Sequence, residues 1–427
     1  MRKLLLLALV LGFATVPARA QSTCSSNANT LFCLPAVAVN NLQSSAAGAA
    51  IPTVPAAFSG LNSAIAFQLS EVPTPSPASG IVFDFNANGV LTSQQRELGP
   101  IFSDAPPTVG PHKLYLAFTY QFLEFDQIDE VSLKQIPLQI STPACTPPSG
   151  VNTLPSSCSP FIVTVSRLDL RVNEFTAYAT YGLGKRVDIS VAVPILDVRM
   201  GMQTRCSVCS QSQPDGSVLV FTPNFGRGEA TGIGDVTFRG KYTVFQGKED
   251  KGLGLAIGVD IRVPTGNALN LLGSGVIGVR PFMAMGYQGR ISPHVDVATR
   301  QNGSSIVAGS GQINKAELPN SLDYSGGLDF GIVRRLSVTG DFLGQTFFNA
   351  NRVVEGLRQP SNLPDISCNS SGAGPCQGQT FTTKTVSAGG KINPAGNLLI
   401  TANVLVRLDH NGLHYRPAPM IGISYTF

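Results

Sequence analysis

Apolar residues recur at every second position over runs of ten residues and more, and few folds can absorb that pattern. In "RLDLRVNEF", Arg167 to Phe175, the residues Leu168, Leu170 and Val172 share one parity while Arg167, Asp169, Arg171 and Asn173 share the other. In "GLGLAIGVDIRV", Leu253, Leu255, Ile257, Val259, Ile261 and Val263 alternate with glycines, Ala256, Asp260 and Arg262. "DVTFRGKYTVF" sets Val236, Phe238, Tyr242 and Val244 against Asp235, Thr237, Arg239 and Lys241. A period of two belongs to strands with one oily face. Soluble strands average about 5 to 6 residues, whereas a tilted strand needs roughly 9 to 11 to cross a bilayer. Hydrophobic residues make up 43% of the chain and charged ones only 13%, yet beyond the N-terminus no apolar run reaches the roughly 18 residues of a membrane helix. The pattern therefore predicts an all-β fold, a transmembrane antiparallel β-barrel.

Twelve strands are expected, near 112–125, 161–180, 187–198, 232–245, 253–263, 276–288, 294–301, 321–333, 336–348, 380–391, 398–409 and 417–427. The connections between them alternate in size. Short ones such as "GLGKR", "QGRISP" and "NPAGN" follow even-numbered strands, and mostly long ones follow odd-numbered strands. Bacterial barrels have an even strand count, short periplasmic turns and long outer loops, an asymmetry that a soluble sandwich has no reason to produce. Trp is absent, so the periplasmic aromatic girdle falls to Tyr178, Tyr181, Tyr242, Phe245, Tyr287, Phe330, Tyr425 and Phe427. The terminal "MIGISYTF" reads as the closing strand, with Ile421, Ile423, Tyr425 and Phe427 toward lipid and its far edge paired with "KLYLAFTYQF", because lipid tolerates no open edge.

Arg2 and Lys3, the apolar run Leu4 to Val16, and Ala18-Arg19-Ala20 spell an export signal over residues 1–20. Its removal takes the formal charge from +4 to +1, and a nearly neutral chain gives no footing for nucleic-acid binding. Eight cysteines fall into local couples: Cys24 with Cys33, Cys145 with Cys158, Cys206 with Cys209, and Cys368 with Cys376. In an exported protein an even count favours disulfides. "CSVC" lacks the further ligands that zinc would need.

Residues 21–111 differ in kind from the barrel proper, 112–427. They are rich in Ala, Ser and Pro, with "EVPTPSPASG" as a breaker cluster. "FSGLNSAIAFQL" reads as a short helix capped by Ser59, and "IVFDFNANGVLTS" as a hairpin. The segment is expected to be a plug or a periplasmic extension, with Phe83 and Phe85 buried in the lumen, since burying such side chains is worth about 1.5–3 kcal/mol each.

The residues with chemical potential are sparse. The polar parity of the strands nominates Arg167, Asp169, Arg171, Asp235, Arg239, Lys241, Asp260, Arg262, His294 and Asp296 as lumen-lining. The histidines are His112, His294, His410 and His414, and no GxSxG elbow accompanies them. "DHNGLH" gathers two histidines around an Asn-Gly turn, a solvated loop rather than a metal site. No phosphate-binding loop is present. Neither an enzyme nor a cofactor is expected.

Several motifs carry a resemblance: "ATYGLGKRVDISVAVPI", "GIGDVTFRGKY", "GVDIRVPTGN", "LLGSG" and "SPH". They resemble the outer-membrane family named for the MetA pathway of phenol degradation, over roughly residues 80–345. That resemblance implies an outer-membrane barrel, often labelled a transporter of apolar or aromatic compounds, and supplies no catalytic residues. The motifs also have structural roles open to them: turn glycines, a ladder-ending Pro264, and Asp235 pairing with Arg239 or Arg262. The expected function is passive transport of small, hydrophobic or aromatic molecules. The alternative is a closed barrel serving as adhesin or scaffold through disulfide-braced loops. Outer-membrane lipid, the barrel assembly machinery and an unknown small permeant are the expected partners.

Overall fold

The computed structural model describes residues 30–34, 56–76, 98, 100–140, 161–206, 210–212, 218–220, 225–247, 252–308, 315–333, 335–350 and 379–427. The wall begins with β1 (Leu114–Ile128), β2 (Phe161–Gly182) and β3 (Val187–Cys206). β4 (Phe225–Ile233) and β5 (Val236–Phe245) share one place in the wall. β6 (Gly252–Val263), β7 (Gly278–Gln288), β8 (Ile291–Asn302), β9 (Asn320–Val333), β10 (Leu336–Ala350), β11 (Gln379–Ala395), β12 (Leu398–Arg407) and β13 (Ala418–Thr426) complete it. Every pairing is antiparallel between neighbours, and β1 pairs both β2 and β13. Twelve wall positions thus close into a barrel. The closing seam runs from Tyr115 opposite Thr426 to Gln121 opposite Met420.

The expected strand at 232–245 is interrupted. β4 pairs with the upper part of β3, β5 with its lower part, and Gly234-Asp235 intervene. Pro194 lies on β3 opposite the break, and its carbonyl accepts from the Gly234 N–H at 2.8 Å. Proline cannot donate to a ladder and is tolerated in sheets mainly at edges and bulges. The interruption of the neighbouring strand makes such a place.

The lower wall has the polarity of a membrane barrel. Phe175, Tyr181, Ile189, Ile195, Phe238, Tyr242, Ile257, Met283, Val295, Leu328, Val338, Ile400, Ile421 and Ile423 are exposed on its outside. Asp188, Ser190, Arg239, Lys241, Asp260, His294, Asp341 and Lys391 are buried inside it. Tyr181, Tyr242, Phe245, Tyr287, Phe330, Tyr425 and Phe427 ring the outer surface near the short turns. Tyr178, expected in that girdle, points inward and is buried.

On β1 to β3 the polarity inverts toward the extracellular end. Along β2, the inward parity reads Thr180, Tyr178, Thr176, Glu174 and then Val172, Leu170, Leu168, while the outward parity reads Tyr181, Phe175 and then Asn173, Arg171, Asp169, Arg167. On β1 the outward Phe118 gives way to Glu124, and on β3 Ile195 gives way to Asp197 and Arg199. These strands continue past the bilayer, where water bathes the outside and something apolar fills the inside.

That filling is the N-terminal segment. α1 (Ala56–Leu69) and the short turn Leu31–Cys33 supply Leu31, Phe32, Ile65 and Phe67 to a core shared with Leu168, Leu170, Val172, Val198, Met200 and Met202. Phe67 meets Phe347 edge-on at 5.0 Å between centroids, and Phe347 meets Phe381 at 5.1 Å. The helix starts at Ala56, ahead of the expected Ser59 cap.

Candidate functional site

Inward parity on β5 to β11 places a row of charged side chains on the lumen face, and the N-terminal segment is bonded to them from both ends. From the extracellular side, residues 70–76 descend from α1, and Glu71 is gripped by Arg262 at 2.8 Å and Arg300 at 2.5 Å. Arg262 also donates to the Ser70 carbonyl at 3.0 Å. Residues 98 and 100–109 fill the opposite end. Lys391 donates to the carbonyls of Leu98 and Pro100, at 3.1 and 2.8 Å. Lys241 donates to those of Ala105 and Pro107, at 3.2 and 2.6 Å. The Val109 N–H donates to Asp188 at 3.0 Å. A segment touching inward side chains on β3, β5, β6, β8 and β11 lies within the lumen.

Asp104 is the midpoint of this plug. Arg239 donates to it at 2.5 Å while holding Asp260 bidentately at 2.5 and 2.7 Å. Arg280 continues the chain to Asp260 and Asp323, both at 3.0 Å. Ser103 is hydrogen-bonded to Ser325 at 2.6 Å, and Asp296 accepts from the Asp104 N–H at 3.2 Å. Burying ions is costly unless each is paired and hydrogen-bonded. Here the plug's carboxylates and carbonyls complete the pairing of wall cations.

Of the residues nominated from the sequence, Arg239, Lys241, Asp260, Arg262, His294 and Asp296 are buried on the lumen face. His294 sits between Asp341, 2.6 Å from Nε2, and Asp329, 3.4 Å from Nδ1. Asp235 lies at the strand break rather than in a strand. It accepts from the Ser274 N–H at 2.7 Å, the Ser274 hydroxyl at 2.6 Å and the Gly266 N–H at 3.1 Å. Arg262 approaches it at 4.0 Å, while Arg239 takes other partners. "GIGDV", "VPTGN" and "LLGSG" therefore meet in one knot. A Cβ at Gly273 would stand 2.2 Å from the Asp235 carboxylate.

Arg167, Asp169 and Arg171 require correction, because they face outward. Arg167 and Asp169 pair with each other at 2.7 Å on the outer surface, and Arg171 lies 3.6 Å from Glu124. They stand above the inversion on β2, where outside means water rather than lipid. The signal was present in the sequence: between Asn173 and Phe175 the apolar residues change parity. Phe83 and Phe85, the expected hairpin around them, residues 1–20 and all eight cysteine side chains lie outside what the structure describes. In the "DHNGLH" loop, His414 is 2.7 Å from Asp126.

Sequence reasoning missed Glu71, which opens a stretch readable only as a breaker, and Asp104 with the carbonyls of Leu98, Pro100, Ala105 and Pro107. It also missed Glu174. This residue lines a chamber of about 280 Å³ between plug and wall. Arg239, Asp260, Arg262 and Arg280 bound the chamber on one side, Glu174, Thr176 and Tyr178 on another. Phe125, Leu343, Phe347 and Tyr415 add apolar surface to its lining, beside Gln345, Thr383, Thr385 and Arg407. In the extracellular rim, burial pushes the Tyr415 phenol above its ordinary pKa, against the pull of neighbouring Arg407.

Comparison with known proteins follows the same stretch of wall. Residues 154–312 match the family model "Putative MetA-pathway of phenol degradation". The match contains all five motifs that carried the resemblance and is narrower than the 80–345 first read. No curated protein matches the sequence. Among solved structures, an outer membrane channel from Pseudomonas putida F1 is 12% identical, covering 78% of this chain and 100% of that one, with a TM-score of 0.44. The CymD monoaromatic hydrocarbon channel is 9% identical over 75% of this chain and 90% of that one, with a TM-score of 0.33. The translocator domain of the autotransporter NalP from Neisseria meningitidis is 8% identical over 74% and 89%, also with a TM-score of 0.33. The barrel itself is established by this chain's own strand pairing and its apolar outer band.

Proposed function

We propose that this barrel passes small, largely apolar molecules across the outer membrane, with the chamber between plug and wall as a holding place on the route. The observation that supports this most is the chamber. It approaches the size of a small-molecule pocket, and its lining joins apolar side chains to charges that are mostly paired. The matching family model, described by a phenol-degradation pathway, supports the aromatic part of the reading. Passage requires the plug to shift, and below α1 much of its grip is through ion pairs and carbonyl contacts that water can replace.

The test locks the plug to the wall. Ser103 and Ser325 have hydroxyls 2.6 Å apart, so the double variant Ser103→Cys with Ser325→Cys is placed to close a disulfide between plug and β9. Cells carrying wild type should admit the apolar dye N-phenyl-1-naphthylamine faster than cells lacking the protein. Oxidised locked variant should not, and reduction should restore entry relative to wild type treated alike. If wild type admits dye no faster than empty cells, whether oxidised or reduced, the transport reading fails and a closed scaffold is the better account.

A further inference from the structure

Arg262 on β6 and Arg300 on β8 converge on one carboxylate. The Arg262 guanidinium donates to one oxygen of Glu71 at 2.8 Å, and the Arg300 guanidinium lies 2.5 Å from the other. Asn302 steadies the first arginine by accepting from it at 2.8 Å. Guanidinium groups are the side chains best shaped to recognise a carboxylate. Here the carboxylate belongs to the plug, the part of the chain that must shift for passage. Glu71, Arg262 and Arg300 all line the chamber. Glu71 is 1% exposed, whereas Arg300 keeps 21% of its side chain open.

Glu71 does not use up what these arginines offer. The Nε of each is buried without a hydrogen-bond acceptor, and the next carboxylates are farther off, Asp235 at 4.0 Å from Arg262 and Asp323 at 3.5 Å from Arg300. When residues 70–76 move away, both cations stay behind on the wall, and a buried ion that has lost its partner is costly. A second carboxylate in the same place removes that cost. It restores the charge that Glu71 takes with it, so Asp235 and Asp323 meet no net change. A phosphate dianion would add a charge beside those two carboxylates, and an ammonium would face two guanidinium groups. Leu271, Leu272 and Leu343 border the same chamber, so the body attached to that carboxylate is apolar.

We propose that Arg262 and Arg300 are a carboxylate subsite in which Glu71 stands in for the guest, and that the carboxylate of an otherwise apolar molecule takes its place as the plug moves. The proposal rests on the transport reading above and names both a class of permeant and what releases the plug. Cyclohexanecarboxylate and cyclohexanecarboxamide test it, since they share a shape and differ in charge. Equilibrium binding to the purified full chain in detergent at neutral pH should favour the carboxylate at least about tenfold, as charge-assisted hydrogen bonds allow. In planar bilayers the carboxylate should raise the conductance of wild type, and the amide should not. Glu71→Gln keeps the side chain's shape and withdraws the competing charge. It should bind the carboxylate about tenfold tighter than wild type does, and the amide no differently. Arg300→Met should cancel the preference, and if that variant fails to fold, wild type and Glu71→Gln still decide. Equal binding of the two compounds to wild type would overturn the proposal. So would a Glu71→Gln variant that binds the carboxylate no tighter than wild type, a preference that survives Arg300→Met, or a wild-type conductance that the carboxylate leaves unchanged. Dye entry is measured separately in cells, so a missing carboxylate preference with intact dye entry would sink the subsite alone.

Discussion

At the residue scale, what a side chain contributes depends on its height along the strand as much as on its parity. Ile257 and Arg171 both point outward, one from the middle of the apolar band on β6 and the other from the wet rim of β2. Ile257→Arg places a cation in hydrocarbon, which costs about 2–4 kcal/mol at the midplane of a barrel. Arg171 is half exposed and its contact with Glu124 is 3.6 Å, and exposed pairs of that kind contribute roughly 0–1 kcal/mol. Arg171→Leu should therefore shift the urea midpoint in lipid vesicles little, while Ile257→Arg should lower it clearly. The opposite ranking would restore Arg171 to the lumen and undo the inversion.

At the scale of elements, the plug is held through a few buried ions, and Glu71 holds the most. One oxygen accepts from Arg262 and the other lies 2.5 Å from Arg300, and the carboxylates left to those arginines are farther off, Asp235 at 4.0 Å and Asp323 at 3.5 Å. Removing one partner of a buried pair typically costs about 3–5 kcal/mol, because the other charge stays buried and unmet. Glu71→Ala should lower stability by that order and raise bilayer conductance as residues 70–76 loosen. Arg416→Ala, at an exposed pair 3.3 Å from Glu124, should do neither. Equal effects from the two would mean that the ionic grip is not what seats the plug. The wall strands were legible in number and approximate bounds, since alternation and loop asymmetry are local, though β3 runs to Cys206 past the expected 198 and the strand expected at 232–245 is two, beginning at Phe225. β6 was expected at 253–263 and runs from Gly252 to Val263. The plug was legible only as a segment of different composition. Its contacts to Lys241 and Lys391 are made by main-chain carbonyls, which every residue possesses, and Glu71 opens a Pro-rich stretch that resembles any linker. Arg167, Asp169 and Arg171 were misplaced because a period of two reports which residues share a face, not which face meets water.

For the whole molecule, two solvents set two rules for one cylinder. In the bilayer the wall is apolar outside and ionic inside. Above it, β1 to β3 are ionic outside and share an apolar core with α1. The plug satisfies both, with Phe67 and Ile65 in the upper zone and Glu71, Asp104 and a row of carbonyls in the lower. Such an arrangement requires a closed cylinder, because an open edge in hydrocarbon leaves backbone groups that no water can reach. The closing seam is short. β1 meets β13 over seven register pairs, from Tyr115 with Thr426 to Gln121 with Met420, whereas β1 and β2 share twelve. Ile423 sits within that seam, opposite Phe118 on β1 and Ile400 on β12. A proline there removes one ladder hydrogen bond where lipid cannot replace it, and its ring cannot sit in a central strand. Ile423→Pro should abolish the heat-dependent gel shift of the folded barrel in detergent, while Ile423→Val preserves it. A proline variant that still migrates as a folded barrel would mean that the cylinder does not depend on this seam, and that another pairing of the last strand closes the wall.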